Sequence, residues 1–170
     1  WQVKSKVTDD GAYIVLKLDK QLPAEGFSIT LTEQNVVITG ADARGLLYGV
    51  GHFLRHLDWQ PGKAFYKQDA SGITSSPAYP IRGHQLGYRN TANSYDMWDA
   101  TQYEQYIREL ALFGANSIEN IPFQDGPKPA HMPMERADMN VRMSAICAEY
   151  GLDYWIWAPA VFDLSDEKLR

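Results

Sequence analysis

The chain has one cysteine, no basic run and no long hydrophobic stretch, and each scarcity excludes a class of protein. A single cysteine among 170 residues excludes a disulfide framework and a cysteine-based zinc cluster. Cys147 shares a helical apolar stripe with Met143 and Ile146, which predicts a buried structural thiol and not a nucleophile. No apolar stretch approaches the roughly 20 residues that span a bilayer. The net charge of −5 argues against nucleic acid or anionic membrane as a partner.

What remains is the composition of a globular protein that is rich in aromatic side chains. Hydrophobic residues make up 45% and charged residues 22% of the chain, which is typical of a folded domain. Five Trp and ten Tyr suit a flat, amphipathic ligand such as a sugar, and they equally suit an ordinary core. The first residue is Trp1, with no charged-then-apolar leader after it. This start predicts either a removed signal or a trimmed chain.

Residues 1–58 predict a small α+β domain. β-Branched content and bounding turns indicate strands at Tyr13–Leu18, Gly26–Leu31 and Asn35–Thr39, the last two forming a hairpin. A helix is predicted from Asp42, its N-cap, to Leu57, because its apolar residues recur at helical spacing. Its glycines, four residues apart, each cost about 1 kcal/mol relative to alanine. The helix is therefore expected to approach a sheet closely.

Residues 59–79 predict a connector, because Pro-Gly and Ser-Ser-Pro turn signals interrupt them. A βα repeat follows over residues 80–170. Its predicted elements are, in order, the strand Ile81–Arg89, the helix Asp99–Phe113, the strand Asn116–Ile121, the helix Arg136–Tyr150 and the strand Asp153–Pro159. The first helix opens on a capping box, Asp99 to Gln102. A repeat of this kind places its long loops at the carboxyl ends of the strands, where parallel folds bind ligands.

Two parallel folds fit this repeat, a doubly wound sheet and a (β/α)₈ barrel. The first strand is not followed by a GxGxxG sequence, which disfavours a dinucleotide site. A barrel needs about 250 residues, so residues 80–170 would hold its first three βα units. The predicted fold class is α/β: a small α+β N-terminal domain followed by a truncated barrel.

The sequence of residues 38–50 resembles a pattern found in known enzyme families. Their sequence, ITGADARGLLYGV, is similar to the pattern that ends the small α+β domain preceding the barrel in family 20 β-hexosaminidases and family 67 α-glucuronidases. Residues 80–83, PIRG, resemble the opening of the first barrel strand in those enzymes. The region from Tyr95 to Asn116 also resembles the family 89 α-N-acetylglucosaminidases. The resemblance covers about residues 26–160 and leaves the choice among these families open.

The resemblance implies a glycoside hydrolase whose catalytic carboxylates lie beyond Arg170, and the sequence departs from the family 20 pattern at two positions. Gly87 stands where the hexosaminidase first strand carries Asp, and Arg89 matches its second Arg only in part. Resemblance to family 20 implies a retaining mechanism assisted by the substrate's acetamido group. Resemblance to family 67 implies an inverting mechanism with two carboxylates.

Several residues are candidates for substrate contact. By resemblance, Arg82 binds sugar hydroxyls, and a guanidinium can donate a fork of hydrogen bonds to vicinal hydroxyls. Glu119 lies near the carboxyl end of the second strand, where it can bind a hydroxyl, pair with Arg82 or act as an acid/base. His84 and Gln85 alternate faces, and His84 reads as a satisfied core histidine. The predicted substrate-binding set is Arg82, Tyr88, Arg89, Asn90, Glu119, Asn120 and Trp157.

The sequence therefore predicts the N-terminal portion of a hexosaminidase- or glucuronidase-like glycoside hydrolase, inactive by itself. The expected partner is an oligo- or polysaccharide, with no cofactor, no metal, no nucleic acid and no membrane span. His131 lacks the partner spacing of a metal ligand, and Asp163 and Asp166 read as loop and helix-start residues. Secretion or a periplasmic location is expected from the habits of the family. The alternatives are a non-catalytic carbohydrate-binding or interaction module and a complete small α/β protein with another role.

Overall fold

The computed structural model describes residues 13–32, 35–66, 72–85, 97–120 and 132–156. These residues form two compact units. The first comprises the described residues up to Pro80 together with residues 111–114. The second comprises the described residues of 81–110 and those from Ala115 onward. The described residues have a mixed α/β fold, in agreement with the predicted α/β class.

The first unit is built on a four-stranded sheet in the order β1-β3-β2-β6. Its strands are β1 (Tyr13–Leu18), β2 (Phe27–Leu31), β3 (Asn35–Gly40) and β6 (Ile73–Ser75). β2 and β3 run antiparallel, as the predicted hairpin requires, whereas β1 lies parallel to β3. The helix α1 (Ala43–Arg55) covers the sheet around a core that includes Ile29 and Ile38.

The sequence around the start of α1 has a structural explanation. Asp42 caps the helix, because its carboxylate accepts hydrogen bonds from the Gly45 N–H at 2.8 Å and the Glu25 N–H at 2.9 Å. Arg44 forms an ion pair with Glu25 at 2.9 Å. A Cβ on Gly45 would lie 2.2 Å from the carbonyl oxygen of Gly26. The Asp-x-Arg-Gly sequence thus fastens α1 to the turn that precedes β2.

The predicted close approach of this helix to the sheet is confirmed at Gly49. A Cβ added there would lie 2.7 Å from Cγ2 of Ile38 and 3.2 Å from Cβ of Phe27. The contact offsets the cost of a glycine inside a helix, because only a residue without a side chain lets the two backbones come this near.

Residues 57–66 form a hairpin that the sequence did not predict. α1 ends at Arg55, and β4 (Leu57–Gln60) then pairs antiparallel with β5 (Lys63–Tyr66). β6, which also lies in the predicted connector 59–79, pairs antiparallel with β2. Much of the segment that reads as a linker is therefore ordered structure of the first unit. The strands β4, β5 and β6 are short, and the partner of β6 is distant in sequence. No local sequence pattern therefore predicts these strands.

The second unit has a three-stranded parallel sheet in the order β7-β8-β9. In chain order its elements are β7 (Gly83–Gln85), α2 (Ala100–Leu112), β8 (Ser117–Asn120), α3 (Arg136–Glu149) and β9 (Asp153–Ile156). The last two residues of α2 are grouped with the first unit. The βα repeat predicted from the sequence is present. The first strand begins at Gly83 and not at Ile81, and its predicted continuation to Arg89 lies outside the described residues.

The two helices of this unit begin and end within one residue of their predicted bounds, although Phe113, which the helical spacing predicts to be buried, is exposed. Asp99 Oδ1 accepts from the Gln102 N–H at 2.9 Å, and Gln102 Oε1 accepts from the Asp99 N–H at 3.0 Å, which is the predicted capping box. The glycines after the helices have φ of 99° and 71°, a conformation that favours glycine. The buried side chains of the two helices include Tyr103, Ile107, Met139, Met143, Ile146 and Cys147.

A polar cluster joins α2 to α3. Arg108 Nη1 donates to both oxygens of Glu104 at 2.7 and 2.9 Å, and the Tyr150 hydroxyl donates to Glu104. Burial and the hydrogen bond to Glu104 raise the pKa of Tyr150 above its usual value. The two helices are therefore held side by side over the parallel sheet.

Candidate functional site

Three side chains lie side by side across the parallel sheet of the second unit. Gln85 of β7 is in register with Glu119 of β8, and Glu119 is in register with Trp155 of β9. Neighbouring strands of a sheet are about 4.8 Å apart, so a ligand the size of one sugar ring can touch two of these residues. We call Gln85, Glu119 and Trp155 the carboxyl-end row, because Gln85 is the last residue of β7 and the other two are the next to last of theirs.

The carboxyl-end row lies on the face of the sheet opposite to the helices. His84 contacts Tyr106 of α2, and the Tyr154 hydroxyl donates to Oδ1 of Asn140 in α3 at 2.5 Å. These strand residues therefore face the helices. Since side chains alternate along a strand, Gln85, Glu119 and Trp155 face the other way.

This face leaves the row accessible. Trp155 is 52% exposed, Gln85 is exposed, and Glu119 is half-buried. An indole offers a flat apolar surface to the CH-rich face of a sugar. A carboxylate accepts hydrogen bonds from hydroxyls, and a carboxamide both donates and accepts. The row has the chemistry of a carbohydrate contact surface, with one carboxylate at its centre.

The opposite face carries a shallow pocket of about 220 Å³ beside α2. It is lined by Trp98, Gln102, Gln105, Tyr106 and Glu109. The Trp98 ring packs on Tyr106 with the centroids 5.4 Å apart, and the Tyr106 hydroxyl is hydrogen-bonded to Nδ1 of His84. His84 is exposed, so the prediction of a core histidine is wrong, although its Nδ1 has the hydrogen-bond partner that this prediction required.

Arg82 lies away from the carboxyl-end row. It precedes β7, and its backbone pairs with Asn116 just before β8: the Arg82 N–H donates to Asn116 Oδ1 at 2.8 Å, and the Asn116 N–H donates to the Arg82 carbonyl at 2.9 Å. Both residues are at the amino ends of their strands. The backbone of Arg82 is three residues, or about 10 Å, from that of Gln85. The sugar-binding role of Arg82 stays a prediction.

Most of the other predicted contact residues fall outside the described residues. These are Tyr88, Arg89, Asn90 and Trp157. His131, Asp163 and Asp166, which the sequence does not predict as contacts, also lie outside the described residues. Asn120 is the last residue of β8, and its backbone is in register with Ile156. Glu119 is the member of the predicted set that the structure places in the carboxyl-end row.

Sequence reasoning did not select Trp155 as a contact residue. Tyr154, Trp155 and Ile156 are consecutive strand residues, and alternation alone puts Trp155 on the face opposite to Tyr154. Which of the two faces is covered by helices depends on the contact of Tyr154 with α3. That contact is not local, so the exposed tryptophan could not be chosen from the sequence.

Cys147 is unsuited to catalysis. Its side chain has no solvent exposure, and burial raises the pKa of the thiol to about 12. Within the described ranges, no cluster of three or more His, Cys, Asp or Glu side chains is arranged to hold a metal ion. None of the helices in the described residues has the length and apolarity of a membrane span.

Comparison with known proteins agrees with the predicted resemblance. Residues 2–68 match the family model described as glycosyl hydrolase family 20, domain 2. This match covers the Asp42-to-Gly45 segment that fastens α1, and at the level of domain homology it supports the family 20 part of the predicted resemblance. No curated protein sequence matches the chain.

Solved structures share the fold at low sequence identity. A glycoside hydrolase family 20 β-N-acetylglucosaminidase aligns with a TM-score of 0.64 at 21% identity, over 85% of this chain and 32% of its own. The family 20 β-N-acetylhexosaminidase from Streptomyces coelicolor A3(2) aligns with a TM-score of 0.63 at 19% identity, over 83% and 33%. The β-N-acetylhexosaminidase from Bacteroides fragilis NCTC 9343 gives 0.61 at 18%, over 83% and 32%. The chain thus spans about a third of the length of each.

Proposed function

We propose that this chain is the N-terminal portion of a hexosaminidase-like glycoside hydrolase. The observation that carries the proposal is the family 20 domain 2 match over residues 2–68, followed along the chain by a parallel βα repeat. In the proposal, the repeat opens a (β/α)₈ barrel. The barrel's remaining strands and the catalytic carboxylates are supplied by chain outside these residues.

The carboxyl-end row is the proposed contact surface for sugar. In a barrel, the face of the sheet opposite to the helices is the interior, and the carboxyl ends of the strands carry the active site. Trp155 stacks on a sugar ring, and Glu119 and Gln85 hydrogen-bond its hydroxyls. Glycoside hydrolysis normally needs two carboxyl groups. Glu119 is the only carboxylate in the row, and it is assigned to binding.

The rest of the predicted set keeps its proposed role. Arg82, Tyr88, Arg89, Asn90, Asn120 and Trp157 remain proposed substrate contacts from the resemblance and from their positions near the strands. The substrate is proposed to carry a terminal N-acetylhexosamine, as the names of the similar enzymes state of those proteins. An α-glucuronoside is the other substrate that the resemblance allows. A secreted or periplasmic location is proposed from the family's habits alone.

The experiment measures hydrolysis by the full-length protein of the p-nitrophenyl glycosides of N-acetyl-β-D-glucosamine and α-D-glucuronic acid. We expect turnover of the first. Trp155→Ala should raise KM about tenfold, the change that about 1.4 kcal/mol of lost binding energy produces. Glu119→Gln keeps the shape and removes the charge. It should lower kcat/KM by about tenfold or more, because hydrogen bonds to charged groups contribute about 1.5–3 kcal/mol.

Trp59→Ala is the matched control, since Trp59 is 67% exposed and lies on β4 of the first unit. Its kinetic constants should equal those of the unaltered protein. Absence of turnover on every glycoside would overturn the enzymatic proposal. Normal kinetics in both row variants would overturn the assignment of the row while leaving the enzyme in place.

A carbohydrate-binding module without catalytic activity is the second candidate. The single carboxylate in the carboxyl-end row favours it, because a binding surface needs no second acid. This function predicts affinity for N-acetylglucosamine oligosaccharides, measured by calorimetry, that Trp155→Ala abolishes in a protein with no turnover. Turnover by the full-length protein would exclude it.

A further inference from the structure

Arg136 carries a charge that no described residue balances. The residue is 5% exposed, and its Nε, Nη1 and Nη2 atoms are buried without a hydrogen-bond partner among the residues that the structure describes. A guanidinium keeps its charge in proteins, and a buried, unpaired charge is strongly unfavourable. A buried arginine of this kind calls for an anionic group beside it.

The position of Arg136 in its helix adds a second attraction for an anion. It is the first residue of α3, a helix of 14 residues. The N-cap residue, Glu135, makes no side-chain cap hydrogen bond, and the first intrahelical bond runs from the Met139 N–H to the Glu135 carbonyl at 2.9 Å. The Glu135 side chain therefore does not cap the N–H groups of the first turn. Such a terminus carries partial positive charge and binds anions.

The guanidinium and the helix terminus act at the same place. Side chains on a helix incline towards its N-terminus, so Arg136 extends back from the first turn in the direction of the N–H groups. This general inclination is expected to bring the buried guanidinium near the partial positive charge of the helix terminus.

Asn140, one turn further along α3, is hydrogen-bonded to groups other than the Arg136 guanidinium. Asn140 Nδ2 donates to the Arg136 carbonyl at 2.8 Å, and Asn140 Oδ1 accepts from the Tyr154 hydroxyl at 2.5 Å. These bonds turn the amide oxygen of Asn140 towards β9. Asp138, the acidic residue of the first turn, is exposed. Neither side chain supplies the missing acceptor.

We propose that Arg136 and the first turn of α3 form a binding site for an oxyanion of the carboxylate or sulfate class. The oxyanion accepts hydrogen bonds from the guanidinium in the bidentate geometry that planar oxyanions allow, and its charge is favoured by the helix terminus. Tyr154 and Asn140 place this site on the helix-facing side of the sheet, apart from the carboxyl-end row. The proposal does not depend on the glycosidase function.

The experiment compares the melting temperatures of the full-length protein, Arg136→Met and Arg142→Met. Each is measured in sodium sulfate, sodium acetate and sodium chloride at equal ionic strength. Arg142 lies on the same helix and is exposed, so its variant controls for the loss of one positive charge. Sulfate raises the stability of most proteins without binding, and this general effect is common to all three proteins.

We expect sulfate or acetate to raise the melting temperature of the unaltered protein and of Arg142→Met by about 2–5 °C more than it raises that of Arg136→Met. This is the shift that binding at about ten times Kd produces in a protein of this size or somewhat larger. It identifies a free oxyanion as the occupant.

A carboxylate of the protein itself is the other source of the same chemistry. In that case the added anions change the melting temperatures of all three proteins equally. Arg136→Met then melts at a lower temperature than the unaltered protein in chloride, because the substitution leaves the carboxylate unpaired. Arg136→Lys, which keeps the charge, then recovers part of the loss. Equal anion responses in all three proteins, together with an unchanged or higher melting temperature for Arg136→Met in chloride, would overturn the proposal. Should Arg136→Met fail to fold, the polar but uncharged variant Arg136→Gln takes its place, and a sulfate response equal to that of Arg142→Met overturns the site.

Discussion

At the scale of single residues, the buried thiol of Cys147 makes the free energy of unfolding depend on pH in the alkaline range. Burial raises its pKa from 9.0 to about 12 in the folded protein, while the unfolded chain keeps the ordinary value. Between these pH values the unfolded state has lost the thiol proton and the folded state retains it. The thiol therefore lowers the free energy of unfolding as pH rises above 9, by up to about 1.4 kcal/mol per pH unit.

The prediction is that Cys147→Ala removes this contribution. Urea denaturation between pH 8 and 11 should show a free energy of unfolding that falls less steeply with pH in the variant than in the unaltered protein. Tyrosines and lysines titrate in the same range in both proteins, so the difference between the two slopes isolates the thiol. The small cavity left by alanine displaces the whole curve without tilting it. Parallel curves would contradict the prediction.

At the scale of elements, the capping box of α2 is a local device whose contribution can be measured. Asp99 accepts hydrogen bonds from the Thr101 and Gln102 N–H groups, both at 2.9 Å. Asp99→Ala leaves both donors without this acceptor and should lower the free energy of unfolding by about 1 kcal/mol. Asp99→Asn keeps an oxygen acceptor and should lose much less. Denaturant midpoints of the two variants provide the test, and equal losses would show that charge, not capping, is what matters.

The elements also show how far sequence reasoning reaches. The capping box, the glycines at the ends of α2 and α3, and the extent of β1 depend on neighbours within a few residues, and all were predicted. The pairing of β6 with β2 and the hairpin β4–β5 were not, because short strands lack a distinctive pattern. The carboxyl-end row is intermediate. Glu119 was chosen from its place at a strand end, but its alignment with Gln85 and Trp155 depends on the register between strands that are distant in sequence.

At the scale of the whole molecule, the division into two units separates stability from the proposed function. Gly49 lies in the first unit, and the carboxyl-end row lies entirely in the second. A Cβ on Gly49 would lie 2.7 Å from Cγ2 of Ile38. Overpacking of this kind costs about 1–3 kcal/mol, and the higher helix propensity of alanine returns about 1 kcal/mol of it. Gly49→Ala should therefore lower the free energy of unfolding by up to about 2 kcal/mol.

The same variant should leave sugar affinity unchanged at temperatures where the full-length protein is folded, because no residue of the carboxyl-end row changes. Trp155→Ala should do the reverse: it removes a ring that is 52% exposed, so affinity falls while stability changes little. Melting temperatures and oligosaccharide titrations of the two variants form one matched comparison. Leu54→Ala, on an exposed position of α1, controls for changes in that helix. Loss of affinity in Gly49→Ala would mean that the first unit helps to form the sugar site, and the separation of roles would then be wrong.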